Sequence, residues 1–296
     1  MTSVRSHHHL EFDLPELVAA KAGLSVSVVM PARDEAETVA GIVTCLRAQL
    51  VPAGLVDEVL VVDDGSTDGT AAVAAAAGAR VVTAGTLHRD ERWGPGKGGA
   101  MWEGLDAADG DVVVFLDADV TNFGPHFVTG LLGPLLTDPD VALVKAFYAR
   151  PLGGVPGEGG RVTELTARPL ISVLFPHLAS VIQPLAGECA ARRDVLEQVP
   201  FSHGYGVELG LLVDVSALAG TGALAQVDLG TRVHRNRPLA ELSAQATAVL
   251  CAGLQRAGLD VAPDHAVLER PGGELVVVRT GSHPPLAQLR GELRTA

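Results

Sequence analysis

Residues 111–120 read DVVVFLDADV. Five apolar residues, Val112 to Leu116, run straight into Asp117 and, one position later, Asp119. A short unbroken apolar run of this kind is the pattern of a strand buried on both faces, as in a parallel sheet covered by helices. Side chains alternate along a strand, so the two carboxylates leave its end on one side. Held together they repel. A hard divalent cation, Mg²⁺ or Mn²⁺, removes that cost through their oxygens. Mg²⁺ commonly binds through one or two carboxylates plus a substrate phosphate, so the pair predicts a phosphate-bearing ligand. A polar strand end that only caps the next turn would show the same letters.

The chain on either side supports the sheet. Ser25 to Met30, Glu58 to Val62 and Arg80 to Thr83 read as strands. Between them, Asp34 or Glu35 is expected to cap a helix through Leu46, and Thr67 or Asp68 an Ala-rich helix ending at Gly78. A Gly/Pro-rich loop, GPGKGG at 94–99, precedes a helix expected over Ala100 to Ala108. Its amides and Lys97 could cradle phosphate, although a plain connector reads the same way. The order β-α-β-α-β-α-β implies an α/β fold with a Rossmann-like, mostly parallel central sheet and helices on both faces. Ligands of such sheets bind beyond the carboxyl ends of the strands, where PARDE (31–35), DDGSTD (63–68) and DADV (117–120) all fall. No G-x-G-x-x-G follows the first strand, and Lys97 is followed by glycines rather than a hydroxyl. A dinucleotide dehydrogenase and a P-loop NTPase are both disfavoured.

Beyond residue 141 the pattern loosens. A strand is expected over 141–148, a helix over 162–175 that Pro169 should bend or break, a helix over Val207 to Leu218, a strand over Ala223 to Leu229 and a helix over Pro238 to Ala257. Residues 259–296 read as a peripheral tail, with a strand at ELVVVRT.

Composition narrows the function classes. Net charge is −13, which argues against nucleic acid and against an anionic membrane surface. No apolar run reaches the ~18 residues of a membrane span, so no stable membrane insertion is expected. The first residues, MTSVRSHHHLEFDLPEL, lack a signal-peptide core and read as a floppy leader. Three scattered cysteines, Cys45, Cys189 and Cys251, fit a reducing cytoplasm. Basic residues nevertheless cluster: Arg232, Arg235 and Arg237 surround His234 with no acid nearby in sequence. An acidic chain with such clusters suits a small anionic ligand.

The segments PARDE, VVDDGSTDGT, GPGKGGAMW and VVVFLDADV, in that order, resemble the GT-A glycosyltransferases, which use nucleotide-sugar donors and a D-x-D metal motif. LVKAFYARP, GGRVTELTARPL, IQPLAGECAARR, PFSHGYGVELGLLVD and VDLGTRVHRNRPLAEL are similar to the glucosyl-3-phosphoglycerate synthase family of that fold. The likeness spans about residues 10–258. It implies one GT-A domain over 1–258, with a nucleotide-sugar half (about 24–140) and an acceptor half (about 141–258), followed by the tail. It implies a retaining transfer of glucose from UDP-glucose to the 2-hydroxyl of 3-phosphoglycerate, in methylglucose lipopolysaccharide synthesis, by a homodimer. The related mannosyl transfer from GDP-mannose is the alternative. An inverting GT-A transferase and a nucleotide-sugar sensor without chemistry are further rivals.

The resemblance also assigns residues. Pro31, Ala32, Asp34, Glu35 and Asp64 would hold uracil and ribose. Asp34 stands where the family usually has Asn, and Asp64 where it often has Ser. Lys97 would meet the diphosphate or the uracil, and Arg232 would bind the donor. Asp117, Ala118 and Asp119 occupy the D-x-D positions, with Asp119 and His234 on the metal. Tyr205 and Glu208 would face the glucose. Gly160, Arg161, Thr163 and Asn236 would bind the acceptor, and Asp119, Lys97 and Glu208 form the catalytic set. Lys145 and Arg150 are weaker candidates, since a basic side chain is usually a solvated surface group.

Overall fold

The computed structural model describes residues 4–87, 95–150, 160–233, 239–261 and 264–294. In chain order the first half gives β1 (Arg5–His8), α1 (Leu14–Ala20), β2 (Val26–Ala32), α2 (Val39–Cys45), β3 (Glu58–Asp63), α3 (Thr70–Ala76), β4 (Arg80–Thr83), α4 (Lys97–Ala107), β5 (Val112–Phe115) and α5 (His126–Thr137). The second gives β6 (Leu143–Ala149), α6 (Arg168–Leu174), β7 (Cys189–Arg192), α7 (Arg193–Leu196), β8 (Phe201–Ser202), α8 (Val207–Ala219), β9 (Leu224–Thr231), α9 (Leu239–Arg256), β10 (His265–Glu269), β11 (Leu275–Arg279), β12 (Ser282–His283) and α10 (Leu286–Arg294).

An eight-stranded sheet runs β1-β9-β6-β7-β5-β2-β3-β4. All neighbours pair parallel except β7, which is antiparallel to both β5 and β6. β5 is buried along its whole length, and its alternation feeds two cores. Val113 and Phe115 pack with α4 and α8 residues such as Trp102 and Leu209; Val112 and Val114 pack with Ile42 of α2 and Leu131 of α5. The expected mostly parallel sheet with helices on both faces is therefore present. The strand order reverses between β2 and β5, so PARDE and DADV leave the sheet side by side at its switch point.

Several local expectations need correction. The leader is not floppy: β1 adds to the sheet edge beside β9, and Gln226 Nε2 donates to Ser6 Oγ at 2.8 Å. Asp34 does not cap α2, which starts at Val39; it takes a left-handed φ of 56°, and its carboxylate accepts from Thr67 N–H at 2.8 Å. The GPGKGG run is not a loop throughout, because α4 starts at Lys97. A Cβ on Gly98 would lie 1.8 Å from the Ser202 carbonyl oxygen, so this glycine lets the first turn of α4 sit against the β8 backbone. Pro169 does not break its helix. A π-helical turn over Thr163–Ala167 precedes α6, and Pro169 falls in the first turn of α6. β7 carried no period that the sequence reading picked up. Lys145 is no surface group: it is 3 % exposed and donates to the Ala186 carbonyl.

Residues 264–294 are not peripheral. The β10–β11 hairpin leads to β12, which pairs with β8. Trp102 Nε1 donates to Pro284 O at 2.8 Å, Arg290 bridges Asp106 and Glu197, and Leu286 is 1 % exposed within the core. Leu286→Ala should therefore cost about 2–5 kcal/mol, read as a lowered denaturant midpoint; a change within error would show that this segment contributes nothing to the folded body.

Candidate active site

Three short segments converge where β5 ends. Leu116 N–H donates to Val29 O at 3.1 Å, which continues the β2 pairing, and Thr38 Oγ1 donates to Ala118 O at 2.6 Å. The chain after the carboxylate pair is stitched to the end of β9. Thr121 N–H donates to Val233 O at 3.0 Å, Asn122 Nδ2 to Thr231 O at 2.7 Å, and Val233 N–H to Asn122 Oδ1 at 2.8 Å. This stitching carries Arg232 onto both aspartates. Its Nη2 donates to Asp117 Oδ2 at 2.8 Å and to Asp119 Oδ1 at 2.7 Å, so the two carboxylates do point one way. Its Nε donates to Glu188 Oε1 at 2.7 Å. Arg232, which has no acid near it in sequence, thus has three in space.

Lys97, placed at the start of α4, reaches across to Asp117 Oδ1 and to Glu208 Oε1, each at 2.6 Å. Four carboxylates, on Asp117, Asp119, Glu188 and Glu208, share the two cations Lys97 and Arg232. Burial alone would raise the pKa of Asp117, but Lys97 and Arg232 outweigh it and hold that carboxyl well below the ordinary range. Asp119 goes the other way: burial pushes it up, Arg232 opposes, and Asp117 and Glu188 add to the rise. Lys97 and Arg232 are both held firmly protonated by their acid partners against the effect of burial.

The excess of negative charge on hard oxygens fits a divalent cation. Both Asp117 oxygens are taken by Lys97 and Arg232, whereas only Oδ1 of Asp119 meets a described cation. Asp119 is therefore the better placed direct ligand. Among the described residues no group of three His, Cys, Asp or Glu forms a ready cage. His234 and Asn236 lie outside the described residues.

The other residues given a donor, acceptor or catalytic role in sequence line one cavity of about 630 Å³, and Lys145 does not. Pro31, Ala32, Asp34, Glu35 and Asp64 are among its lining residues. Asp64 is mostly buried and accepts from Gly96 N–H at 3.0 Å; burial raises its pKa, with that hydrogen bond and Arg33 opposing. Lys97, Asp117, Ala118, Asp119, Glu208 and Arg232 line the cavity around the ion cluster, and Gly160, Arg161, Thr163 and Tyr205 complete the predicted set. Arg150, a weaker candidate in sequence, also lines it, as do three α9 residues, Leu242, Gln245 and Val249, that were not given a part by the sequence.

The chain was compared with known proteins. The family model described as glycosyl transferase family 2 matches residues 27–199. This chain belongs to that family. It is 47 % identical to a glucosyl-3-phosphoglycerate synthase of Mycolicibacterium paratuberculosis, over 97 % of this chain and 91 % of the relative. It superposes with a TM-score of 0.89 on the crystal structure of the Mycobacterium tuberculosis glucosyl-3-phosphoglycerate synthase in complex with Mn²⁺, UDP-glucose and phosphoglyceric acid, at 43 % identity, covering 98 % of this chain and 100 % of that one. The same enzyme in complex with Mg²⁺ and UDP gives a TM-score of 0.87 at 43 % identity, over 97 % and 99 % of the two chains. Membership in the glucosyl-3-phosphoglycerate synthases and their GT-A fold follows.

The sequence reading missed Glu188, Tyr148 and Gly187. Glu188 carried a signal: an acidic residue inside the apolar stretch LAGECAA. Gly187 is legible only in space, because a Cβ there would fall 2.3 Å from Asp117 Oδ1. Gly187→Ala should push Asp117 off Lys97 and Arg232, lower the thermal midpoint because buried charges lose a partner, and lower glycosyl transfer by the folded protein about a hundredfold. Undiminished turnover would show that the position of Asp117 does not matter.

Proposed function

We infer that this chain is a metal-dependent glucosyltransferase that moves glucose from UDP-glucose to the 2-hydroxyl of 3-phosphoglycerate, giving glucosyl-3-phosphoglycerate with retention at the anomeric carbon. The observation that carries this is the single cavity joining PARDE, the aspartate pair, Lys97, Glu208 and the Gly160–Thr163 segment. Identity with the synthases named above over nearly the whole chain supports it.

The roles combine the cavity lining with what the family resemblance implies, and for His234 and Asn236 they rest on the resemblance alone. Pro31, Ala32, Asp34, Glu35 and Asp64 hold the uridine end. Asp119, with His234, holds Mg²⁺ or Mn²⁺, which when bound offsets the charge developing on the departing diphosphate. Arg232 presents its guanidinium to the same diphosphate, and Lys97 stands beside it. Tyr205 and Glu208 border the glucose. Gly160, Arg161, Thr163 and Asn236 take the acceptor; a guanidinium fork matches carboxylate and phosphate oxygens. Glu208 is ion-paired to Lys97 at 2.6 Å and is 4 % exposed, which favours ordering of sugar hydroxyls over attack at the anomeric carbon. That favours attack on the leaving group's own face, with the acceptor hydroxyl proton passing to the departing phosphate. Catalysis then rests on holding the two substrates in register.

Residues 1–258 form the catalytic domain in this reading, with a donor half at about 24–140 and an acceptor half at about 141–258. The enzyme works as a cytoplasmic homodimer in methylglucose lipopolysaccharide synthesis. Free cysteines support a reducing compartment, and no helix among the described residues is long and apolar enough to cross a membrane.

The test is an assay of UDP-, ADP- and GDP-glucose and GDP-mannose, each with 3-phosphoglycerate, in Mn²⁺, Mg²⁺ or EDTA. Metal-dependent glucosyl-3-phosphoglycerate from UDP-glucose is expected, and no product from any pair would reject the reading. Arg161→Ala should raise KM for 3-phosphoglycerate at least about tenfold, the loss of a charge-assisted hydrogen bond, and leave KM for UDP-glucose near wild type. Equal loss for both substrates would remove Arg161 from the acceptor site.

A further inference from the structure

Glu188 is wholly buried, at 0 % exposure, behind the cavity wall. Its backbone is fixed beside β6, where Ala146 N–H donates to Glu188 O at 3.1 Å. Its two carboxylate oxygens have separate duties. Oε1 accepts from Arg232 Nε at 2.7 Å, and Oε2 accepts from the Tyr148 hydroxyl. That hydroxyl in turn accepts from Arg150 Nη2 at 2.8 Å. The Tyr148 ring packs beside both guanidiniums, with Arg232 Cζ 5.6 Å and Arg150 Cζ 4.8 Å from its centroid.

A guanidinium has three edges. Here the Nε edge goes to Glu188 and Nη2 goes to Asp117 and Asp119. Nη1 has no hydrogen-bond partner among the described residues, and Arg232 lines the cavity. Without the hold on Nε, Arg232 keeps only the Nη2 bonds and the Tyr148 ring contact, and it can turn a two-pronged face to Asp119, the candidate metal ligand. A buried carboxylate–guanidinium pair is also a poor source of net stability, so positional control is the better account of it.

We propose that Glu188, braced by Tyr148, is a positioning residue: it pins Arg232 by Nε so that Asp119 keeps an oxygen for the divalent cation and Nη1 stays directed at the donor diphosphate. This rests on the glycosyl-transfer reading given above. Outer groups that orient a metal site typically change metal affinity or activity by 10–100-fold when mutated. Neither Glu188 nor Tyr148 lines the cavity, so their effect passes through Arg232.

The test uses the full chain with Glu188→Gln, which keeps the shape and the Oε1 acceptor but removes the charge. Mn²⁺ affinity without nucleotide is read by electron paramagnetic resonance, and UDP and 3-phosphoglycerate affinities by calorimetry. The expected result is Mn²⁺ binding weakened about 10–100-fold, UDP binding in Mn²⁺ weakened with it, and 3-phosphoglycerate binding near wild type, in a variant that folds with a lowered thermal midpoint because a buried ion pair has lost one charge. Tyr148→Phe, which keeps the ring and the Glu188 charge, should move Mn²⁺ affinity in the same direction by less; it carries the test if Glu188→Gln does not fold. Wild-type affinity for Mn²⁺ and UDP in either folded variant overturns the proposal, as does an equal loss of 3-phosphoglycerate binding. A wild-type protein that binds neither Mn²⁺ nor UDP overturns the glycosyl-transfer reading, and this one with it.

Discussion

One guanidinium organises the centre of this molecule. Arg232 bonds Asp117, Asp119 and Glu188 at once, with 3 % of its side chain exposed. It therefore ties the end of β5, the start of β7 and the end of β9 to one point. Carboxylates packed this closely would repel one another out of register, and removing either partner of a buried ion pair is strongly destabilising. Lys97 extends the same lattice to Glu208 at the start of α8. The cavity floor is thus a network of alternating charge rather than an apolar pocket with a few polar groups. Its net negative balance is what suits it to a metal and, through the metal, to a diphosphate.

The sheet supplies the rigid frame for that lattice. β5 lies between the parallel β2 and the antiparallel β7, so the segment carrying the aspartates is held from both sides. The close approaches are made by glycines: Gly187 passes beneath Asp117, and Gly98 lets α4 bring Lys97 in over β8. The C-terminal segment extends this support. β12 pairs with β8, and His203 N–H donates to Gly281 O at 2.9 Å immediately before the turn that carries Tyr205 and Glu208. The last thirty or so residues therefore brace the cavity wall that carries Tyr205 and Glu208.

What the sequence disclosed follows from which signals are local. Strand and helix periods are local, and they located β2 to β5 and α8 to α9 within a few residues. The aspartate pair is local too, because alternation along one strand is enough to place both on one side. The convergence of PARDE, GRVT and GYGVE needed the fold or the family resemblance. Long-range partners left no local mark. The antiparallel β7 went unread, and Lys145, an ordinary basic residue in the text of the chain, is buried against Ala186. The histidine-rich start reads as a leader because what holds it is distant in sequence: its pairing with a strand more than two hundred residues away, the Arg5–Asp138 ion pair and the His9–His126 ring contact. The GPGKGG run misleads for a related reason: glycine is a helix breaker by propensity, yet here its missing side chain is what allows the helix to pack.

The most direct measurement of the central claim is anomalous diffraction at the manganese edge, from crystals grown with Mn²⁺ and UDP. The account predicts one strong peak at coordination distance from an Asp119 oxygen and the UDP diphosphate, with Arg232 still bonded to Asp117 and Glu188. A peak elsewhere, or none with UDP plainly bound in the cavity, would contradict the assignment of this ion cluster as the metal-dependent donor site.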